Sequence, residues 1–188
     1  MGTRLFVSVD LPEELAEGVS EIQEEFADAS GLNFTDPEQA HVTLKFLGDT
    51  PADRLDDLRD ALDAAVSDAG AGPFEATYGG LGVFPNLDYI SVLWLGVEDG
   101  GEELTRLHEA IEERTTALGF DEEDHEFTPH VTLARMEHAG GKELVRKLVR
   151  ERDPTVGTTR VEEIQLTESE LTAGGPKYST VERFPLEG

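Results

Sequence analysis

Histidine and threonine recur at the same spacing and in the same context twice in this chain, as His41-Val42-Thr43-Leu44 and as His130-Val131-Thr132-Leu133. Histidine is the side chain whose ordinary charge change falls near neutral pH, so it can give or take a proton in water. A pair of them supplies both halves of general acid–base chemistry, one ring starting neutral and the other protonated, which gives a bell-shaped pH dependence. Thr43 and Thr132 are suited to donate hydrogen bonds to oxygens on which negative charge builds up in a transition state. A shared tetrapeptide alone is weak evidence, and a lone strand histidine is usually structural. The pointer to a site is that a proton-exchanging group precedes a hydroxyl by two residues in both copies.

The runs around the two copies, residues 41–48 and 129–135, alternate and are rich in β-branched residues, which predicts strands. Side chains at i and i+2 of a strand share a face, so each copy turns a His and a Thr one way and its apolar residues the other. Two such strands side by side bring two imidazoles and two hydroxyls together. Pro129 keeps Thr128 extended and lets the second strand begin at His130. The same parity places Lys45 on the His41 face, a candidate phosphate contact, and Arg135 on the face opposite His130 unless the strand twists or bulges.

Around these strands the pattern predicts a strand over 4–10, a helix opened by Pro12 and two acids, and a loop over 31–40. Thr50 reads as an N-cap with Pro51 at the first helical position, and Leu55, Leu58, Leu62 and Val66 form the buried stripe of that helix. Strands follow at 74–84 and 89–97, then a helix over 102–118, a short helix over 142–152, and strands near 160–167 and 178–184. The order hints at a duplicated unit. It predicts an α+β fold of two pseudo-symmetric lobes, with antiparallel sheets around a central groove and residues 1–188 forming a single bilobal domain.

Composition narrows the function classes. There is no cysteine, which excludes disulfides, thiolate metal sites and a cysteine nucleophile. Neither motif carries an Asp, Glu or second His at ligand spacing, so no metal and no other cofactor is expected. No apolar stretch is long enough for a membrane span or a signal-peptide core, which predicts a cytoplasmic protein with no membrane partner. The net charge is −26, from 41 acidic and 15 basic residues, interleaved with apolar positions and not gathered in a tail. Such a surface predicts a monomer from a salt-accumulating, halophilic source, where screening removes the self-repulsion. His108, His125 and His138 read as surface residues.

At these residues the chain resembles the two-histidine (2H) phosphoesterases, and within them the RNA 2′,3′-cyclic phosphodiesterases once called 2′-5′ RNA ligases. The resemblance extends over nearly the whole chain. It runs through residues 4–12, the first motif 41–48, Gly82-Val83-Phe84-Pro85 with Val92-Leu93-Trp94-Leu95-Gly96, the second motif 127–135, and Leu166-Thr167-Glu168-Ser169-Glu170-Leu171 with Tyr178. A tryptophan common in the family before the first motif is replaced here by the Leu32-Asn33-Phe34 segment, where Phe34 is the available aromatic.

The resemblance implies hydrolysis of RNA 2′,3′-cyclic phosphate ends, of tRNA halves or other RNAs, or of cyclic nucleotides, to 2′-phosphomonoesters. It assigns His41 as proton donor to the departing O3′ and His130 as acceptor from water. Residue types alone leave that order open. They leave open two other readings as well: end joining, the reverse chemistry with an RNA 5′-hydroxyl in place of water, and a noncatalytic module that binds RNA ends or nucleotides. Retention of both His and both Thr argues against the module.

Overall fold

The computed structural model describes residues 2–123 and 126–186. Nine strands, β1 (Thr3–Asp10), β2 (Leu32–Phe34), β3 (His41–Thr50), β4 (Phe74–Pro85), β5 (Ile90–Asp99), β6 (His130–Met136), β7 (Thr155–Val161), β8 (Glu163–Thr172) and β9 (Gly175–Pro185), form one sheet. Its order is β7-β4-β5-β6-β3-β1-β8-β9, with β2 set against β6, and all pairings are antiparallel. Helices α1 (Ala16–Glu25), α2 (Leu55–Ala69), α3 (Gly101–Ala117) and α4 (Lys142–Glu151) cover one side. The expected α+β architecture of two lobes about a groove is the one observed.

The lobes meet between β3 and β6, where Val42 stands opposite Val131. Beyond that pair β3 leaves β6, and β2 takes its place along the same edge, with Phe34 opposite Ala134. One lobe holds β1, β3, β8 and β9 over α2 and α3, and the other holds β4–β7 over α1 and α4. The helix that follows β1 thus packs under the other lobe, against β6 and β7. Buried Val19, Ile22 and Phe26 on its stripe, Leu58, Leu62 and Val66 on α2, and Leu104, Leu107 and Ile111 on α3 join one continuous core. Helices thereby cover one face of the strands, and the polar strand positions are left to the other face.

Three sequence expectations change. The strand expected near 160–167 is two strands, split at Glu162, because Val161 is buried beside β4 and Ile164 beside β9, at opposite ends of the sheet. An alternating pattern continues across such a switch of partner and does not reveal it. The loop at 31–40 contains β2 and a short 3₁₀ turn (Pro37–Gln39) capped by the Asp36 side chain. Thr50 ends β3 and does not cap a helix; its hydroxyl donates to the Gly48 carbonyl, and a 3₁₀ turn over Ala52–Arg54 leads into α2.

Candidate active site

The antiparallel match of Val42 with Val131 sets His41 across from Thr132 and Thr43 across from His130. All four side chains therefore rise from one face. The two histidines are diagonal neighbours, for which Cβ atoms lie roughly 7 Å apart. That separation suits two imidazoles flanking one phosphate.

Both rings are held in the same way. His41 Nδ1–H donates to the Gln39 carbonyl (2.9 Å), and His130 Nδ1–H donates to the Thr128 carbonyl (2.7 Å). A carbonyl only accepts, so Nδ1 carries hydrogen in each ring and proton exchange falls to Nε2. The Gln39 turn is itself tied to β9, because its side-chain Oε1 accepts from the Tyr178 amide at 2.8 Å. Aromatic neighbours set the ring planes: Phe6 (5.0 Å) and Tyr178 (5.2 Å, edge-on) at His41, and Phe84 (4.9 Å, edge-on) and Trp94 (5.8 Å) at His130. Trp94 lies flat across the β4 backbone at Gly82, where any Cβ would come within 2.3 Å of the indole.

Strand parity fails one step beyond each threonine, at the same place in both copies. Ser8 and Val7 pair with Thr43 and Lys45, and Trp94 and Leu93 pair with Thr132 and Ala134. Leu44 and Leu133 are thus extra residues, one bulge in each motif, and every later side chain changes face. Each bulge carbonyl is claimed by a buried side chain from the helix beneath. His108 Nδ1–H on α3 donates to Leu44 O (2.7 Å), and Gln23 Nε2–H on α1 donates to Leu133 O (3.0 Å), which also accepts from the Thr35 amide.

The bulges correct the reading of the two cations. Lys45 does not share the His41 face. It is 1% exposed, ion-paired with Glu112 of α3, and donates to the Asp121 carbonyl at 2.6 Å. Arg135 shares the groove face and is exposed, and its charge is among the influences that hold down the His41 imidazole. At the position of Arg135 in the first motif stands Phe46, paired with Phe6 and 63% exposed.

Of the other histidines, His108 is buried and stacks on Phe127 at 4.2 Å, contrary to its surface reading. His138 is exposed in a turn, accepting from the Gly140 amide, and His125 lies outside the described residues. Phe34 packs half-buried against the core.

Burial pushes His41 below the ordinary imidazole range; the Gln39 carbonyl and Asp10 pull it up, and Arg135 pushes it further down. Among the described residues no three His, Asp or Glu side chains gather as a metal site, and no helix is long and apolar enough to cross a membrane. The residues that sequence reasoning passed over are Asp10, Phe6, Tyr178, Phe84 and Trp94. All five lie in segments that carried the family resemblance, but their contacts with the histidines depend on pairings that no local pattern encodes.

A sheet curled about a seam, with a His-x-Thr strand from each lobe on its open face, defines the two-histidine phosphoesterase class. The chain matches the model of the 2′-5′ RNA ligase superfamily over residues 11–172 and belongs to that family. A Methanothermobacter thermautotrophicus protein named RNA 2′,3′-cyclic phosphodiesterase is 37% identical over 188 residues, covering 99% of this chain and 100% of that protein. An Archaeoglobus fulgidus protein of the same name is 34% identical over 183 residues, 96% of this chain and 99% of its own. Among solved structures, TT0787 of Thermus thermophilus aligns with a TM-score of 0.78 at 33% identity over 98% of both chains. Escherichia coli LigT, crystallised with 3′-AMP, shares the fold with a TM-score of 0.78 at 24% identity over 100% of both chains.

Proposed function

We propose that this chain hydrolyses RNA 2′,3′-cyclic phosphate ends to 2′-phosphomonoesters. The observation that carries the reading is the seam register, which seats His41, Thr43, His130 and Thr132 on one face with both Nδ1 atoms committed to backbone carbonyls. The name shared by the curated relatives supports it. Water attacks phosphorus as the P–O3′ bond breaks. His130 Nε2 takes the proton from water, and His41 Nε2 delivers one to O3′. In-line displacement needs the entering and leaving oxygens on opposite sides of phosphorus, and diagonal imidazoles provide that. Thr43, Thr132 and Arg135 bind the non-bridging oxygens as charge accumulates.

The family also includes 2′-5′ ligases by name, and joining would use the same groups with an RNA hydroxyl in place of water. Bulk water favours hydrolysis. A tRNA half and a cyclic mononucleotide present the same reacting group. The test is turnover of a nucleoside 2′,3′-cyclic phosphate with product identification. The 2′-monophosphate is the expected product, and His41→Ala and His130→Ala each lower turnover by about 10²- to 10⁴-fold with circular dichroism unchanged. Saturable binding without turnover, or near-native turnover in either variant, refutes the assignment.

A further inference from the structure

The few cations of this chain are unevenly placed. Residues 142–152 hold five of the 15 basic residues beside two acidic ones, whereas the rest of the chain holds ten basic against 39 acidic. Helix α4 buries Val145 and Leu148 and packs Leu144 and Val149 against the core, so its charges are left to the other side. Lys142, Arg146 and Arg150 recur every four residues, a row that runs about 12 Å along the helix, and Lys147 lies beside it. Two acids claim a cation each: Glu143 pairs with Arg146 at 3.5 Å, and Glu25 of α1 with Arg152 at 3.2 Å. Lys147 and Arg150 are exposed and have no ion pair or hydrogen bond among the described residues. On a surface so rich in carboxylates, two neighbouring cations left unpaired are available to an anion from outside.

The helix starts where the active-site strands end. Arg135, near the end of β6, pairs with Val92, which pairs in turn with Phe84, the ring edge-on to His130. Seven residues after Arg135 the chain opens α4 with Lys142, whose ammonium donates to the carbonyl of Asp88 in the β4–β5 hairpin. The next hairpin residue, Tyr89, is 70% exposed. An aromatic ring and a row of cations thus continue from the candidate active site around the end of the sheet.

From this we infer that Tyr89 and the outer face of α4 hold the single-stranded RNA that leads up to the cyclic phosphate end. The inference rests on the reading of RNA ends as substrate. The cations track the phosphates upstream of the reacting one, and Tyr89 offers its face to one base, the combination that single strands use when a protein follows the backbone without reading sequence. A cyclic mononucleotide ends in the groove and reaches none of these groups. The helix therefore distinguishes an RNA end from a free nucleotide, although both present the same reacting phosphate.

The test is the double variant Lys147→Gln with Arg150→Gln, and separately Tyr89→Ser. Affinity for an oligoribonucleotide of about 12 nucleotides with a 2′,3′-cyclic phosphate end is measured by fluorescence anisotropy in the His41→Ala chain, which leaves the end intact. Potassium chloride is raised from the lowest concentration at which circular dichroism shows the fold intact. The double variant is expected to bind the RNA about tenfold more weakly at the low end of the series, with the slope of log affinity against log salt shallower by about 1.4. Tyr89→Ser weakens binding about fivefold and leaves the slope unchanged. With His41 restored, turnover of a nucleoside 2′,3′-cyclic phosphate stays within about twofold of wild type in both variants. Unchanged RNA affinity in either variant, or an equal loss on the mononucleotide, overturns the inference. So does self-association of the wild-type chain that the double variant abolishes with RNA affinity unaltered, which gives the helix to a second acidic copy. Because affinity is read without turnover, failure of the chain to hydrolyse cyclic phosphates refutes the catalytic reading and leaves this measurement to stand on its own.

Should the double variant fail to fold, Lys147→Gln alone must make the slope shallower by about 0.7, and no change overturns the inference.

Discussion

Replacing the two cations that follow the histidine motifs should separate stability from catalysis. Lys45→Met removes one partner of a buried ion pair and leaves Glu112, 17% exposed, to the longer approach of the His108 imidazole, whose Nε2 lies 3.9 Å from the carboxylate. Breaking such a pair costs about 3–5 kcal/mol. Glu112 keeps the bond from the Glu123 amide (3.1 Å), so the lower end applies, about 3 kcal/mol. For a chain of this size each kcal/mol moves Tm by about 2–4 °C, so Tm should fall by about 6–12 °C. Adding Glu112→Leu removes the stranded charge and should recover most of that loss. Well below the transition, turnover of Lys45→Met stays within about threefold of wild type, because the ammonium faces the helix layer. Arg135→Met should do the reverse. Its Tm stays within about 2 °C of wild type, since the guanidinium is exposed, while kcat/KM falls about 30- to 100-fold because a charge-assisted hydrogen bond to the phosphate is removed. Differential scanning calorimetry beside steady-state kinetics on a cyclic nucleotide reads both quantities. Unchanged Tm with collapsed turnover in Lys45→Met would refute the bulge argument, because it would mean that the ammonium reaches the substrate.

Two further predictions concern solution conditions. The His41 imidazole is held below its ordinary value by burial, so between that lowered value and the unfolded value of 6.5 the unfolded chain binds more protons than the folded one. Stability from this site is therefore complete above 6.5 and is lost as pH falls through the window. Thermal melts of His41→Asn should lose less stability than wild type on acidification from pH 7, and parallel curves would exclude the effect; the paired comparison cancels the relief of carboxylate repulsion common to both. The net charge of −26 opposes approach of a polyanionic RNA at low salt and strains the fold by self-repulsion. Although counterion competition weakens ordinary RNA binding as salt rises, turnover of a short cyclic-phosphate substrate should increase from low to molar potassium chloride. Maximal turnover at low salt, with circular dichroism constant through the series, would count against a salt-adapted surface.

The histidine–threonine pairs were legible in the sequence because their geometry is local. Parity over three residues of a strand is enough to set His41 and Thr43 on one face. Two residues further on, parity misleads, since each bulge falls at a leucine that differs in no way from a ladder residue. What marks the bulges is distant: His108 on α3 and Gln23 on α1, each donating to a carbonyl that the ladder has released. The same limit hid Tyr178 and Asp10, which reach His41 from β9 and β1 through pairings fixed only once the sheet is assembled. Helix stripes such as Leu58, Leu62 and Val66 were readable. The lobe each helix covers was not, because periodicity reports that a face is buried and not what buries it.

The interleaving of the lobes bears on how the chain is made. β1 can pair with β3 once about 50 residues have left the ribosome, but its other edge is completed by β8, at Glu163–Thr172. At about 5–20 residues per second that edge stays open for roughly 6–24 s of synthesis. It presents the apolar run Leu5–Val9 as an unpaired template for other strands. The helix α1, emerging next, finds no surface to cover until β6 and β7 exist. Neither lobe can close before its neighbour is nearly complete, so the nascent chain depends on means other than burial to remain apart from its copies. The acidic residues spread along the emerging segments supply one, since polysomal neighbours carrying the same dense negative charge repel each other through the whole interval.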